Sequence, residues 1–280
     1  MEKREKKIPI MINGLPGKVS RMLVKHGLSD HRFSIIPYSL TGPEIDDSDH
    51  VSNGTCFKLI RPEHKDEIIE EIKNRYWPFI AIDFTHPSAI EDNTRFYCKH
   101  DIFFVMGTTG GDRKLLVSLV ENSKISAVIA PNMAKQIVGF QAMMEYAADQ
   151  FPGLFSGYTL TIEESHQSTK ADTSGTAKAM VAYFRKMGIP FSEKQIKKIR
   201  DKTVQEKRLG VPRKYIDGHA WHTYTLISPD KNVCFRFTHN INGRDIYAQG
   251  TFDAVLFLHA MMEKKEQGRA YSMIDVMKGA

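Results

Sequence analysis

The stretch from Glu164 to Ala177 concentrates groups that can hold an anion and move a proton. It reads Glu164-Ser165-His166-Gln167-Ser168-Thr169-Lys170-Ala171-Asp172-Thr173-Ser174-Gly175-Thr176-Ala177. His166 titrates near neutrality and suits general acid catalysis. Lys170 supplies a compact positive charge. Ser174-Gly175-Thr176 stands at the start of a helix expected over Thr176 to Met187, and free N–H groups at a helix start bind carboxylates and phosphates. The segment reads as a pocket where a small anion is held and protonated. The plainer alternative is a loop with an ordinary N-cap.

A second group of residues suits a dinucleotide. Asn13-Gly14-Leu15-Pro16-Gly17-Lys18-Val19-Ser20 follows the first expected strand and opens the first expected helix. Glycines at that corner allow a tight turn and a close approach of a pyrophosphate to the helix N-terminus. Ser20 stands where the usual fingerprint has its third glycine. An acidic residue at the end of the second strand normally selects NAD. This chain has Tyr38-Ser39-Leu40-Thr41 there, and the first carboxylate is Glu44. With Lys18 and Arg21 near the same corner, the expectation is NADPH in preference to NADH. Three further loops end expected strands: Asp83-Phe84-Thr85, Gly107-Thr108-Thr109-Gly110-Gly111 and Ala130-Pro131-Asn132-Met133. Ligands of open α/β sheets bind beyond the strand carboxyl ends, so these loops are expected to line the cofactor crevice.

Metal chemistry has little support. His219-Ala220-Trp221-His222 lacks a third ligand at a sensible spacing and reads as polar side chains on a loop and strand. Cys56, Cys98 and Cys234 form no Cys-x-x-Cys pair, which suggests neither a zinc cluster nor a disulfide framework and fits a reducing compartment. Met143 and Met144 read as core on a long helix.

These groups need a scaffold. Apolar runs at Ile8 to Ile12, Phe33 to Leu40, Cys56 to Ile60, Phe79 to Phe84, Ile102 to Met106 and Ile125 to Ala130 alternate with helical patterns. Such alternation predicts a Rossmann-like, doubly wound parallel sheet. The later runs at Tyr158 to Glu164, Trp221 to Ser228, Val233 to Asn240 and Ile246 to Gln249 alternate apolar and polar residues. They predict a second α+β domain with a mixed, largely antiparallel open sheet. A final helix from Phe252 to Glu266 and a tail to Met277 are expected to return to the first domain. The expected division is residues 1–132 with 250–280, and residues 133–249.

The 280 residues are 41% hydrophobic and carry a net charge of +6. Lysines and arginines are interspersed with acids on amphipathic helices, which argues for solvated faces rather than a nucleic-acid surface. No apolar run approaches the ~20 residues of a membrane helix. The charged N-terminus has no apolar segment behind it, so the expected location is cytoplasmic, or plastid where a transit peptide has been removed.

The residues around His166 and the glycine loops resemble dihydrodipicolinate reductases, also called 4-hydroxy-tetrahydrodipicolinate reductases. The likeness rests on Asn13-Gly14 to Ser20, Gly107-Thr108-Thr109-Gly110, Glu164 to Lys170 and Ser174-Gly175-Thr176-Ala177, and it extends to Asn240-Ile241-Asn242-Gly243-Arg244. It is nearest the plant-type branch, which shares Gly107 to Asp112 and Glu164 to Gln167. The resemblance implies an NAD(P)H-dependent reductase of lysine and diaminopimelate biosynthesis, acting on a small dicarboxylate as a homotetramer. It implies His166 as proton donor with Lys170 beside it, and Thr109, Gln167, Lys170, Ser174, Gly175 and Thr176 at the substrate. It places the cofactor on Asn13 to Val19, Ser39, Asp83 to Thr85, Gly107 to Thr109 and Ala130 to Met133. Gln167 stands where a common bacterial pattern has a second histidine. The alternatives are a reductase of another cyclic imine dicarboxylate and a non-catalytic nucleotide-binding homologue.

Overall fold

A computed structural model describes residues 7–279. The chain divides into two units, one running to Lys135 and resuming at Tyr247, the other spanning Gln136–Ile246.

The first unit is built on a six-stranded parallel sheet, β1 (Ile8–Asn13), β2 (Phe33–Ile35), β6 (Ile80–Asp83), β7 (Phe103–Met106), β8 (Ala127–Ile129) and β13 (Ala270–Tyr271). Their order is β13-β8-β7-β6-β1-β2. Ile10, Ile12, Ile80, Ile82, Phe104 and Val128 are all fully buried, as central strands covered on both faces require. Helices α1 (Lys18–Ser29), α2 (Lys65–Tyr76), α3 (Ile90–Lys99) and α4 (Arg113–Glu121) make the crossovers. The strand order reverses at β1, so the loop from Gly14 to Lys18 lies at the topological switch point.

Two expected strands fail. Phe33 to Leu40 is not one strand. It breaks at Pro37, which has no N–H to give a ladder. The chain then starts a separate three-stranded sheet of β3 (Tyr38–Leu40), β4 (Asp49–Ser52) and β5 (Thr55–Ile60). Ile246 to Gln249 is not a strand but the first turn of α8 (Asp245–Glu263). Gly250 follows them in the same helix. It lies inside the helix because a β-carbon at that position would collide with the Met133 carbonyl.

The second unit holds a four-stranded sheet, β9 (Thr159–His166), β10 (Lys197–Ile199), β11 (His219–Ile227) and β12 (Cys234–Asn242), in the order β10-β9-β11-β12. β10 runs parallel to β9, and the other pairs are antiparallel. Ile162, Tyr224 and Leu226 on one face pack with Met180 and Phe184 of α6 (Gly175–Lys186) and Met144 of α5 (Lys135–Gln150). The opposite face carries Thr161, Thr223, Thr225, Arg236 and Thr238, none of them buried. Met143 points away from the core and is 64% exposed, against expectation, whereas Met144 is buried. A short helix, α7 (Lys202–Val204), follows β10. Among the described residues no helix is long and apolar enough to cross a membrane.

Candidate active site

The carboxyl end of β9 delivers His166, and the loop behind it leads to α6. Glu164, two residues earlier on the same face of the strand, is fully buried and organises that loop. Its Oε2 accepts from the Ser174 N–H at 2.9 Å, and its Oε1 takes the Arg200 guanidinium at 2.6 Å. Arg200 also donates to the carbonyls of Lys170 at 2.8 Å, Glu164 at 3.3 Å and Asp172 at 3.3 Å. Gln205, fully buried, donates to the His166 carbonyl at 2.7 Å and to that of Ile199 at 3.0 Å. His219 accepts the Ser165 hydroxyl on Nε2 at 2.7 Å, because its Nδ1–H is committed to the Ile216 carbonyl at 3.0 Å.

Within this frame Lys170 pairs with Asp172 at 2.8 Å. Asp172 is 73% exposed in its side chain, so the pair is worth only ~0–1 kcal/mol and yields readily to another carboxylate. The start of α6 is open. Ser174 makes no side-chain cap, and the first amide to close back is Lys178, onto the Ser174 carbonyl. The N–H groups of Gly175, Thr176 and Ala177 therefore have no helical partner. A β-carbon at Gly175 would meet nothing, so that side stands clear for a ligand. Gln167 is half-buried beside them.

Burial, with Arg200 and Lys170 nearby, pushes His166 down to about 3, so its imidazole is neutral at neutral pH. Sequence reasoning brought together His166, Gln167, Lys170, Ser174, Gly175 and Thr176 in this one region. It missed Glu164 as an organiser and Arg200 and Gln205 altogether, and it read His219 and His222 only as polar side chains of a loop and strand, whereas both are buried on β11 beside this loop. Arg200 and Gln205 lie some 30 to 40 positions further along and reach the loop only because β10 pairs with β9.

The cofactor candidates gather around the strand ends of the first unit. Gly14 has φ +99°, and a β-carbon there would strike the Phe84 carbonyl; one at Gly107 would strike the Phe84 ring. These positions must be glycine. Gly17 caps α1 with no side-chain bond, leaving the N–H groups of Lys18, Val19 and Ser20 open at the helix start. The Ser20 hydroxyl, at the position of the fingerprint's third glycine, donates to the Asn13 carbonyl at 2.9 Å and packs fully buried. Leu15 is buried, and Pro16 and Val19 are half-buried.

Several of the expected contact residues also serve as internal supports. Asn13, Ser39 and Asp83 are fully buried. Asn13 accepts from the Leu40 N–H and donates to Tyr97, and Ser39 accepts from the Leu15 N–H. Asp83 takes Thr85 at 2.7 Å and Thr108 at 2.9 Å on Oδ1, and Tyr97 at 2.8 Å on Oδ2. Ala130 and Met133 are buried, and Asn132 accepts from the Ala134 N–H ahead of α5. These side chains hold the loops in place. Thr109 and Pro131 are exposed on their loops, and Phe84 is half-buried.

A cavity of about 610 Å³ lies beyond β3, lined by Leu40, Thr41, Glu44, Lys65, His86 and Asn93 among others. Lys18 and Arg21, the cations behind the expected cofactor preference, do not line it. Glu44 does, folded so that its carboxylate covers Gly42.

Residues 8–133 match the family profile described as the dihydrodipicolinate reductase N-terminus, and residues 137–277 match that for its C-terminus. The chain is 44% identical over 271 residues to the chloroplastic 4-hydroxy-tetrahydrodipicolinate reductase 2 of Arabidopsis thaliana, covering 97% of this chain and 77% of that protein. It is 42% identical over 270 residues to a probable chloroplastic 4-hydroxy-tetrahydrodipicolinate reductase 1 of Oryza sativa subsp. japonica, covering 96% and 78%. The dipicolinate-bound dihydrodipicolinate reductase from Paenisporosarcina sp. TG-14 shares the fold at a TM-score of 0.65 and 18% identity, over 95% of this chain and 98% of that one. Matched along both units and by plant relatives over nearly its whole length, the chain belongs to the dihydrodipicolinate reductase family.

Proposed function

We propose that the protein reduces 4-hydroxy-tetrahydrodipicolinate, or its dehydrated form, to tetrahydrodipicolinate in lysine and diaminopimelate biosynthesis. The observation that carries this reading is the β9–α6 loop, where His166, Lys170 and the open start of α6 are fixed together by Glu164 and Arg200. A ring with two carboxylates suits that set. One carboxylate takes the free N–H groups at Gly175 and Thr176, and Lys170 exchanges Asp172 for substrate. The domain roles follow: residues 133–249 hold substrate, while residues 1–132 with 250–280 hold the dinucleotide.

The open N–H groups of Lys18, Val19 and Ser20 at the start of α1 suit a pyrophosphate, and Gly14 and Gly17 allow the tight turn that presents them. A bound NADPH or NADH supplies the hydride. Reduction of a conjugated imine leaves negative charge on the ring, which His166 neutralises by proton transfer. His166 is neutral in the free chain. A neutral imidazole N–H can still polarise and protonate a developing anion, and the proton is then replaced from solvent.

The sequence favours NADPH. Glu44 and Lys65 both line the cavity beyond β3, one opposing and one attracting a ribose phosphate, so NADPH stands as the preferred cofactor with NADH also accepted. Cover for the polar outer face of the β9–β12 sheet would come from other copies, as a homotetramer. A plastid or cytoplasmic compartment suits the three free cysteines. The test is direct: purified protein with NADPH and freshly generated substrate should show loss of nicotinamide absorbance, and no loss with either cofactor rejects the reading.

A further inference from the structure

β11 carries a second histidine to the donor. In the sheet register His222 lies opposite Glu164 on β9 and opposite His239 on β12. Its Nε2 is 3.3 Å from His166 Nε2 and 4.0 Å from Glu164 Oε2. The ring is held on both sides, with the His239 centroid at 4.7 Å and the Tyr224 ring parallel within 6° at 6.4 Å. Glu164, His166 and His222 are spaced closely enough to invite a cation. Glu164 is already spent on Arg200 and on the Ser174 amide, and a cation would meet the guanidinium. The informative question is where the protons of the imidazole pair sit.

The surroundings of His222 answer it. Its Nδ1 is buried with no partner. A buried orphan N–H is rarer and costlier than an unmet lone pair, so the proton of neutral His222 belongs on Nε2, where His166 can accept it. Two Nε2 atoms in hydrogen-bond contact share a single proton between them. His166 must then accept on Nε2 and carry its own proton on Nδ1, which bonds nothing among the described residues.

We infer that His222 is a positioning residue: its Nε2–H holds His166 in the Nδ1–H tautomer, so that the donor's proton sits on the nitrogen the protein leaves free. This rests on the reading of His166 as proton donor. His222 is buried and acts through the ring it orients, as second partners of catalytic histidines do. A wrong tautomer on an otherwise intact site is known to be costly to turnover.

The test uses full-length, ¹⁵N-labelled protein without substrate. Long-range ¹H–¹⁵N spectra report the tautomer of each imidazole, and the His166 signals are assigned by their loss in His166→Gln. The wild-type His166 is expected as Nδ1–H. In His222→Phe, which keeps the ring volume and removes the donor, it should move toward Nε2–H. Turnover in that variant should fall by about tenfold or more with KM nearly unchanged, a modest part of the ~10²–10⁴-fold that general acid catalysis contributes. His222→Gln, whose amide N–H can replace Nε2–H, should restore both tautomer and turnover. A wild-type His166 found as Nε2–H overturns the inference, and that spectrum decides it even if His222→Phe does not fold. A His222→Phe protein that loses turnover with an unchanged tautomer also overturns it, since the loss would then be structural. Normal turnover in His166→Gln would instead reject the donor reading and leave the tautomer assignment to be judged by the spectra.

Discussion

Glu164 and Arg200 meet at 2.6 Å across the β9–β10 pair, with Glu164 fully buried and the Arg200 side chain 18% exposed. That contact ties the strand carrying His166 to the loop carrying Lys170, because the same guanidinium holds the Lys170 and Asp172 carbonyls. A carboxylate buried this deeply tolerates no loss of its cation. Removing one partner of a buried pair typically costs about 3–5 kcal/mol. Arg200→Ala should therefore lower stability by roughly 3 kcal/mol or more in denaturant titration, and it should raise KM for the dicarboxylate. A variant as stable as wild type would mean the pair is not holding the loop.

Lys170 and Asp172 should separate cleanly by kinetics. Lys170→Ala loses a cation that both binds substrate and assists neutralisation, so KM should rise and kcat should fall together. Asp172→Asn frees Lys170 from its competitor, so substrate affinity should be unchanged or tighter. Substrate titration of the two variants checks this. A weaker KM in Asp172→Asn would show that the acid helps the site instead of competing with the ligand.

The cofactor side makes its own prediction. Glu44→Gln removes the carboxylate that covers Gly42 in the cavity beyond β3. NADPH affinity should improve relative to NADH by several-fold, read by calorimetry with each cofactor. Lys18→Ala should weaken both, with the larger effect on NADPH. An unchanged cofactor ratio in Glu44→Gln would put the ribose elsewhere.

The second unit should be sensitive to acid. Burial holds His166 down to about 3, His239 down to about 4, and His222 well below its ordinary value of 6.5. Between those values and 6.5 the unfolded chain binds protons that the folded chain refuses, so stability must fall as pH drops through that window. Above 6.5 these groups contribute no slope. Thermal melts from pH 8 to pH 4 should show a plateau and then a decline, and His239→Phe should flatten the decline. A melting temperature that is constant down to pH 4 contradicts the neutral cluster.

The elements that carry this chemistry were legible where local pattern and burial agree. Continuous apolar runs such as Ile10 to Ile12 and Phe104 to Met106 could only be covered strands, and the glycines after β1 and β7 marked the loops. Pattern failed where tertiary contact decides. The four residues Ile246 to Gln249 are too short to distinguish a strand from a first helical turn, and the helix that absorbs them runs through Gly250, which packs against the Met133 carbonyl. Asn13, Ser39 and Asp83 have the residue types of ligand contacts, but burial turns them inward. Arg200 looked like any surface cation, and only the parallel pairing of β10 with β9 reveals it as the clamp of the site.

The outer face of the β9–β12 sheet presents Thr161, Thr223 and Thr225, and β12 leaves one edge unpaired. An open edge of this length is normally paired or covered. With that edge covered in the proposed homotetramer, light scattering should report an assembly of four copies. A monomer that persists at micromolar concentration would contradict the assembly while leaving the loop chemistry intact.

The role of His166 carries the whole account, and one comparison tests it. Turnover, KM and NADPH binding should be measured side by side for the wild type and His166→Gln. Loss of the proton donor should lower kcat by ~10²–10⁴-fold, with KM changed little and NADPH affinity unchanged, because the nucleotide cradle is built by Gly14 and Gly17 in the other unit. A His166→Gln enzyme that turns over at near the wild-type rate would contradict the account.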